Sequence, residues 1–238
     1  MNRLSKALAA VMLMMMVVFT SGCNKPEDEP NNGGGNGGNT NTHAYVDLGL
    51  PSGALWATCN VGATKPEEYG DYFAWGETET KSTYNWSTYK YANGSYDQLT
   101  KYCNNSSYGF IDNLTILQLC DDAATANWGN GWRMPNKAQW VELLQNTNHT
   151  WTTQNGVNGR LFAASNGNTL FLPAAGDQGG DELYGVGSYG HYWSGSLDTN
   201  DPRIALLFNF GSDVYDIGLH IGRCCGLSVR AVRSVRQN

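Results

Sequence analysis

The chain is short of positive charge and nowhere gathers what it has. Its 15 Lys and Arg are outnumbered by 21 Asp and Glu, for a net charge of −6 over 238 residues. Without a basic cluster there is no electrostatic footprint for nucleic acid or anionic lipid, so neither is expected as a direct partner. No apolar run reaches the roughly 20 residues that a membrane span needs. The four histidines, His43, His149, His191 and His220, show no H-x-H or H-E-x-x-H spacing. Cys59, Cys103, Cys120, Cys224 and Cys225 fit no zinc pattern, and an odd number of cysteines beyond Cys23 leaves at least one thiol free or intermolecular. Ser188 and Ser194 lie outside any G-x-S-x-G context. Gly185 to Gly190 matches G-x-G-x-x-G, but no helix-forming sequence follows to supply the N-terminus that a phosphate cradle requires. No internal repeat is visible. These absences argue against metal-hydrolase, serine-hydrolase and nucleotide chemistry, and no catalytic residue, cofactor or metal is expected.

What is present begins with an address. Arg3 and Lys6 precede a short apolar run from Ala7 to Phe19, then Thr20-Ser-Gly-Cys23. A basic start, a short apolar stretch and small residues before a cleavage point read as a signal peptide over 1–22. Gly22-Cys23 resembles a lipoprotein box, with Cys23 as the acylated residue and Thr20 where leucine is usual. Multiple acyl chains on one cysteine anchor stably where a single chain does not. Residues 24–30, Asn-Lys-Pro-Glu-Asp-Glu-Pro, resemble the acidic signal that sends Bacteroides-type lipoproteins to the outer face of the outer membrane. Asn31 to Asn41 has no apolar residue to bury and reads as a flexible tether. Residues 23–42 are thus lipid, address and tether, leaving 43–238 as one domain large enough for a core.

Within that domain short apolar runs alternate with Gly, Asn and Ser turns. The pattern predicts strands at Leu55–Asn60, Tyr72–Trp75, Leu161–Ala164, Thr169–Pro173, Tyr192–Ser194, Ala205–Phe210 and Leu227–Val232. It predicts one helix from an Asp121 cap to Trp128. A second spans Lys137 to about Asn146, capped by Asn136 with Gln139 as the reciprocal capping-box partner. Trp140, Val141, Leu143 and Leu144 give that helix one apolar face. Asp71, Asp112, Asp121 and Asp122 read more readily as caps and turn hydrogen bonders than as calcium ligands.

The turn before the second helix, Gly131 to Trp140 (GWRMPNKAQW), together with Gly226-Leu-Ser-Val-Arg230, resembles the W-R-L/M-P-T-x-x-E-W and G-F-R elements of the formylglycine-generating-enzyme branch of the C-type lectin-like fold. Tyr45 to Val61, Gly70 to Glu77, Asp121 to Trp128 and Tyr189 to Ser194 resemble the Fibrobacter succinogenes major paralogous domain, a family common in exported lipoproteins of Bacteroides-type bacteria. The resemblance covers residues 43–238. It implies an α+β, C-type lectin-like fold, with small twisted antiparallel sheets, two flanking helices and long loops, and it carries no settled activity. The superfamily includes a copper-dependent oxidase with two nearby cysteines. Here Cys224 and Cys225 are adjacent, a spacing that on a strand sends side chains to opposite faces, and the oxidase's R-G-G-S-W element is absent.

Gly195 to Cys225 contains no Trp, Met, Lys, Glu or Gln, where about five such residues would be expected at the composition of the preceding domain. Randomising the two adenines of an AAC or AAT codon cannot produce those residue types. The segment resembles the variable region of a target protein of a diversity-generating retroelement. That resemblance implies ligand contacts at Asp201, Arg203, Asn209, Asp213, Tyr215, Asp216, Leu219, His220 and Arg223, with Tyr184, Tyr189, His191, Tyr192 and Trp193 as a neighbouring aromatic shelf. The expected function is non-catalytic binding of an external protein or glycan by a lipid-anchored, cell-surface domain. The alternatives are a structural surface-fibre or envelope-assembly component and an oxidase-type enzyme.

Overall fold

The computed structural model describes residues 43–129, 131–218 and 221–234. The proposed leader (1–22), the segment 23–42 with Cys23, and the candidate contacts Leu219 and His220 lie outside the described residues. Among the described residues no helix is long and apolar enough to cross a membrane.

Strands β1 (Tyr45–Asp47), β2 (Ala54–Ala57) and β3 (Tyr72–Phe73) come first, then a 3-10 turn at Leu119–Asp121 and two helices, α1 (Ala123–Trp128) and α2 (Lys137–Asn146). The remaining strands are β4 (Thr147–Gln154), β5 (Val157–Ala164), β6 (Thr169–Pro173), β7 (Asp177–Gly179), β8 (Glu182–Tyr184), β9 (Gly190–Leu197), β10 (Ala205–Phe210), β11 (Tyr215–Ile217), β12 (Gly226–Ser228) and β13 (Val232–Ser234). They form small sheets with two helices, an α+β arrangement. Among the described residues the sheets are three: β1-β2-β13, β4-β5-β6, and a seven-stranded sheet ordered β11-β10-β9-β12-β7-β8 with β3 also on β12. The β9–β12 pairing is parallel and the others are antiparallel.

Local chemistry accounts for the helices. Asn136 accepts the Gln139 N–H at 2.9 Å while the Gln139 side chain accepts the Asn136 N–H at 3.2 Å, completing the expected capping box. Trp140 and Leu143 are fully buried, with Trp140 packed on Trp56 and Phe208 at ring separations of 4.8 and 5.0 Å. Val141, expected on the same apolar face, is only half-buried. The cap of α1 is Asp122, not Asp121: Asp122 accepts from the N–H groups of Ala124 and Thr125 at the helix start and from Met134 in the Trp-Arg-Met-Pro turn. Asp121 instead turns inward to accept from Tyr91, Tyr102 and Lys101.

The segments carrying the sequence resemblance lock one another. The indole of Trp75 donates to the Ser194 carbonyl and that of Trp193 to the Phe73 carbonyl, both at 2.7 Å. Arg230 is fully enclosed, and its guanidinium donates to Asn60 Oδ1 and to the carbonyls of Thr58 and Ala57 at 2.8, 2.8 and 3.1 Å. Among the described residues no carboxylate neutralises it; oriented carbonyl dipoles take that part, and burial lowers its pKa. The expected strand Leu227–Val232 is broken there. The chain leaves β12 for Arg230, then enters another sheet as β13, whose Val232 exchanges backbone hydrogen bonds with Arg133.

Candidate functional site

The segment 195–225 does not form one surface. Gly195–Leu197 and most of β10 are buried, so the described candidates that reach solvent, half-buried Asp201 and Arg203 and exposed Asp213, Tyr215 and Asp216, fall at the two ends of β10, on the order of 20 Å apart at the rise of a strand. At one end Arg203 donates to both oxygens of Asp201, with Nη2–Oδ2 at 2.6 Å, and lies over the rings of Tyr108 (4.3 Å) and Tyr96 (5.5 Å). At the other end Asp213, Tyr215 and Asp216 are exposed in and after the β10–β11 turn.

Two candidates are corrected by burial. Arg223 is completely enclosed, donating to the carbonyls of Tyr102 and Lys101 at 2.7 and 2.6 Å between the rings of Trp75 and Tyr89. It is a core fastener with no surface to offer a ligand. Asn209 is 9 % exposed and sits mid-sheet, paired laterally with His191 on β9 and Asp216 on β11. Tyr192 and Trp193, named for the aromatic shelf, are fully buried as well. The Cys224–Cys225 reasoning also changes. The pair lies within a turn closed by the Cys225 N–H on the Gly222 carbonyl at 2.9 Å, so the thiols are not on opposite faces of a strand and interact with each other. A hydrogen bond from Cys224 to Cys225, with burial, pushes the Cys224 thiol up.

The structure gathers a cleft at the Asp213 end. Trp151 on β4, Tyr189 ahead of β9 and Val214 in the β10–β11 turn bound a cavity of about 360 Å³, with Ser188, Ser212 and Asp213 at its edge. Each wall is held from behind. Arg160 on β5, 4 % exposed, donates to the carbonyls of Gly211 and Val214 at 2.8 and 3.4 Å and fixes the turn. Its other terminal nitrogen meets His149 Nδ1 at 2.9 Å. Burial first, and the adjacent Arg160 charge second, lower the His149 pKa, so the imidazole stays neutral and accepts. Ser212 donates to Asp213 Oδ2 at 2.8 Å and orients the carboxylate.

The glycine loop supplies Tyr189. Its N–H donates to the Gly185 carbonyl at 2.8 Å and its carbonyl accepts the Gly176 N–H at 2.7 Å. Gly185 and Gly187 adopt φ of +67° and +76°, and β9 rather than a helix follows. The Tyr189 ring lies nearly parallel to His191, at 6.1 Å and 16°, and His191 Nδ1 is held by Asp177 at 2.7 Å. Sequence reasoning placed Tyr189 near the site but missed Trp151 and Arg160. Neither had a local signal: Trp151 is the one large apolar residue of the otherwise polar β4, and Arg160 on β5 is placed by pairing across the sheet.

Two other features are enclosed or committed. A shallow groove of about 750 Å³ follows the outer face of α2 past Pro51 and Ile116. Asn136 there serves the helix cap, and Glu142 accepts the Ser52 N–H and hydroxyl, both at 2.6 Å. Asp112, raised as a calcium candidate, is occupied by the N–H groups of Tyr102, Cys103 and Leu114. No family model, curated protein or solved structure matches the chain.

Proposed function

We propose that this chain is a lipid-anchored protein of the outer cell surface whose single C-type lectin-like domain binds an external protein or glycan without catalysis. Cys23 carries the anchor and residues 24–42 the address and tether; the membrane is met through the lipid alone. Of the nine candidate contacts, Asp213, Tyr215 and Asp216 are retained for the ligand face, and Trp151, Ser188, Tyr189 and Val214 are added. One observation carries the reading. Six of the twelve exposed large apolar residues among those described, Leu183, Tyr184, Val186, Tyr189, Val214 and Tyr215, fall on the 183–189 and 214–215 segments, and Tyr189 and Val214 of these line the preorganised cleft. Exposed apolar side chains clustered in this way mark interaction sites.

The test is panning of the full-length chain against a random peptide library and a glycan array, beside Val214→Asp. Binding in either format that the substitution abolishes supports the reading; silence in both overturns it. Diversification has its own test in the gene's 3′ third across isolates. Variation is expected on codons ending in C or T at 212–216 and 198–201, with Asn209 and Arg223 codons fixed by the core. Invariant codons and no template copy nearby refute diversification alone.

A structural role is favoured by one feature. Strand β4 is an eight-residue sheet edge, Thr147–Gln154, with no Lys, Arg, Asp, Glu or Pro to blunt it. Light scattering decides: a dimer dispersed by Thr150→Lys favours assembly, and a monomer discards it.

A further inference from the structure

Resting on the proposal that the cleft is a ligand site, we propose that its ligand is an uncharged sugar unit of a glycan, held between Trp151 and Tyr189 and hydrogen-bonded along the Ser188–Ser212–Asp213 edge.

The argument starts from charge. Among the described residues Asp213 is the only carboxylate edging the cleft, and no Lys, Arg or His lines it. The nearest guanidinium, Arg160, is buried behind the turn and committed to the Gly211 and Val214 carbonyls and to His149. Exposed Asp181, Glu182 and Asp216 on the neighbouring hairpins keep the surroundings acidic. Carboxylated, sulfated and phosphorylated ligands meet only like charge here.

The polar groups then separate sugar from amine. A cation cage needs aromatic faces and negative charge, with little call for hydroxyl donors. This cleft offers the Ser188 hydroxyl as a donor, with the Asp213 carboxylate and the Ser212 oxygen as acceptors, while Asn158 in its wall is engaged by Gly187 and Thr153; the mixture is matched to ligand hydroxyls that both give and take hydrogen bonds. The C–H face of a pyranose packs on aromatic rings, and the cleft supplies two, Tyr189 standing 45 % exposed. Its volume of about 360 Å³ lies at the small end of the roughly 300–1,000 Å³ range of small-molecule sites, suited to one or two sugar rings and not to a folded protein surface.

Preorganisation completes the case. Tyr189 is fixed at its backbone and backed by His191, which Asp177 anchors. Trp151 meets Phe210 edge-on at 6.3 Å. Arg160 pins the turn that carries Ser212 and Asp213. Rigid walls reduce the ordering cost of a weak, hydroxyl-rich ligand.

The experiment titrates the full-length chain with neutral oligosaccharides ending in glucose, galactose, mannose or N-acetylglucosamine, and with sialylated and sulfated counterparts. Trp fluorescence and calorimetry report binding. The expected result is saturable binding of at least one neutral series and none of the anionic ones. Affinity falls about tenfold or more in Tyr189→Ala and in Asp213→Ala, with melting curves unchanged, and is kept in Phe110→Ala, an exposed control outside the cleft. No neutral binding, or binding indifferent to both cleft variants, overturns the sugar assignment. Cationic peptides captured in the library and lost in Val214→Asp overturn the sugar while leaving the cleft a ligand site; silence of every probe removes both.

Discussion

Substituting Gly190 by alanine tests whether the cleft is built as described. A Cβ at this position would stand 2.1, 2.4 and 2.7 Å from Cζ, Cε1 and Cε2 of Phe210, far inside van der Waals contact. The ring is fully buried and has little room to retreat: Tyr192 stacks on it at 6.0 Å, Phe208 lies at 5.3 Å, and Arg160 and Trp151 close the outer side. Overpacking of this kind costs about 1–3 kcal/mol, and ejecting the ring would forfeit a similar amount of burial, about 1.5–3 kcal/mol. A loss near 3 kcal/mol is therefore expected, or roughly 6–12 °C in Tm for a domain of this size. Phe210→Leu alone, by removing ring atoms from the core, is expected to cost about 1–2 kcal/mol. The three clashing atoms are ones that leucine lacks, so Gly190→Ala/Phe210→Leu should be more stable than the sum of the singles by at least about 1 kcal/mol. Urea unfolding of the four proteins measures the cycle. The reasoning is refuted if Gly190→Ala lies within about 0.5 kcal/mol of the parent, where neutral surface substitutions fall, or if the two costs simply add.

Other substitutions test separate parts. Burial alone would raise the Asp121 pKa, but the hydrogen bonds from Lys101, Tyr102 and Tyr91 together outweigh it and hold the value below normal. A depressed carboxylate adds stability above its unfolded value of about 4 and loses it as pH falls through the folded one. Asp121→Asn should therefore flatten the acid limb of the stability–pH curve, and parallel limbs would sink the assignment. Asn136→Ala removes the cap of α2 and should cost about 1 kcal/mol by urea unfolding, whereas an unchanged midpoint would mean the capping box carries nothing. Limited alkylation at mildly alkaline pH, read by peptide mass mapping, should mark Cys225 before Cys224, because Cys224 is the more buried thiol and its pKa is raised; the reverse order contradicts that. Arg203→Ala and Asp201→Ala, at the far end of β10, should leave binding at the cleft within about twofold of the parent, as distant independent sites do; a larger loss would join the two ends into one site.

How far the sequence reached depended on the range of the interaction that decided each element. The capping box of α2 is written in residues three apart, and both its members and the start of the helix follow from them. Strands β6 and β10 are also apolar runs between turn residues, and their predicted bounds match. β4 escaped because Thr147–Gln154 is polar on its open side, and its strand state comes from an eight-residue register with β5. Strand β11 escaped because Tyr215–Ile217 is held by pairing with β10, a partner that local periodicity does not reveal. The Asp121/Asp122 exchange has the same cause. Either residue can cap a helix, and only Tyr91, Tyr102 and Lys101, distant in sequence, draw Asp121 away.

The candidate site divides along the same line. Composition marks a stretch of chain, but it does not distinguish an arginine facing solvent from one enclosed by carbonyls, and Arg203 and Arg223 came from the same window. Arg223 is spent on Lys101 and Tyr102, with Tyr89 and Trp75 about it; Arg203 stays at the surface with Asp201. A segment with such an arginine at one end and a solvent-facing turn at the other cannot vary uniformly and still fold. Any freedom to change residues in 195–225 is therefore confined to its exposed turns. Of these, 212–216 is the turn that meets Trp151 and Tyr189 across a cavity, so change there would reshape the proposed ligand face while the buried register of β9, β10 and β12 holds the scaffold.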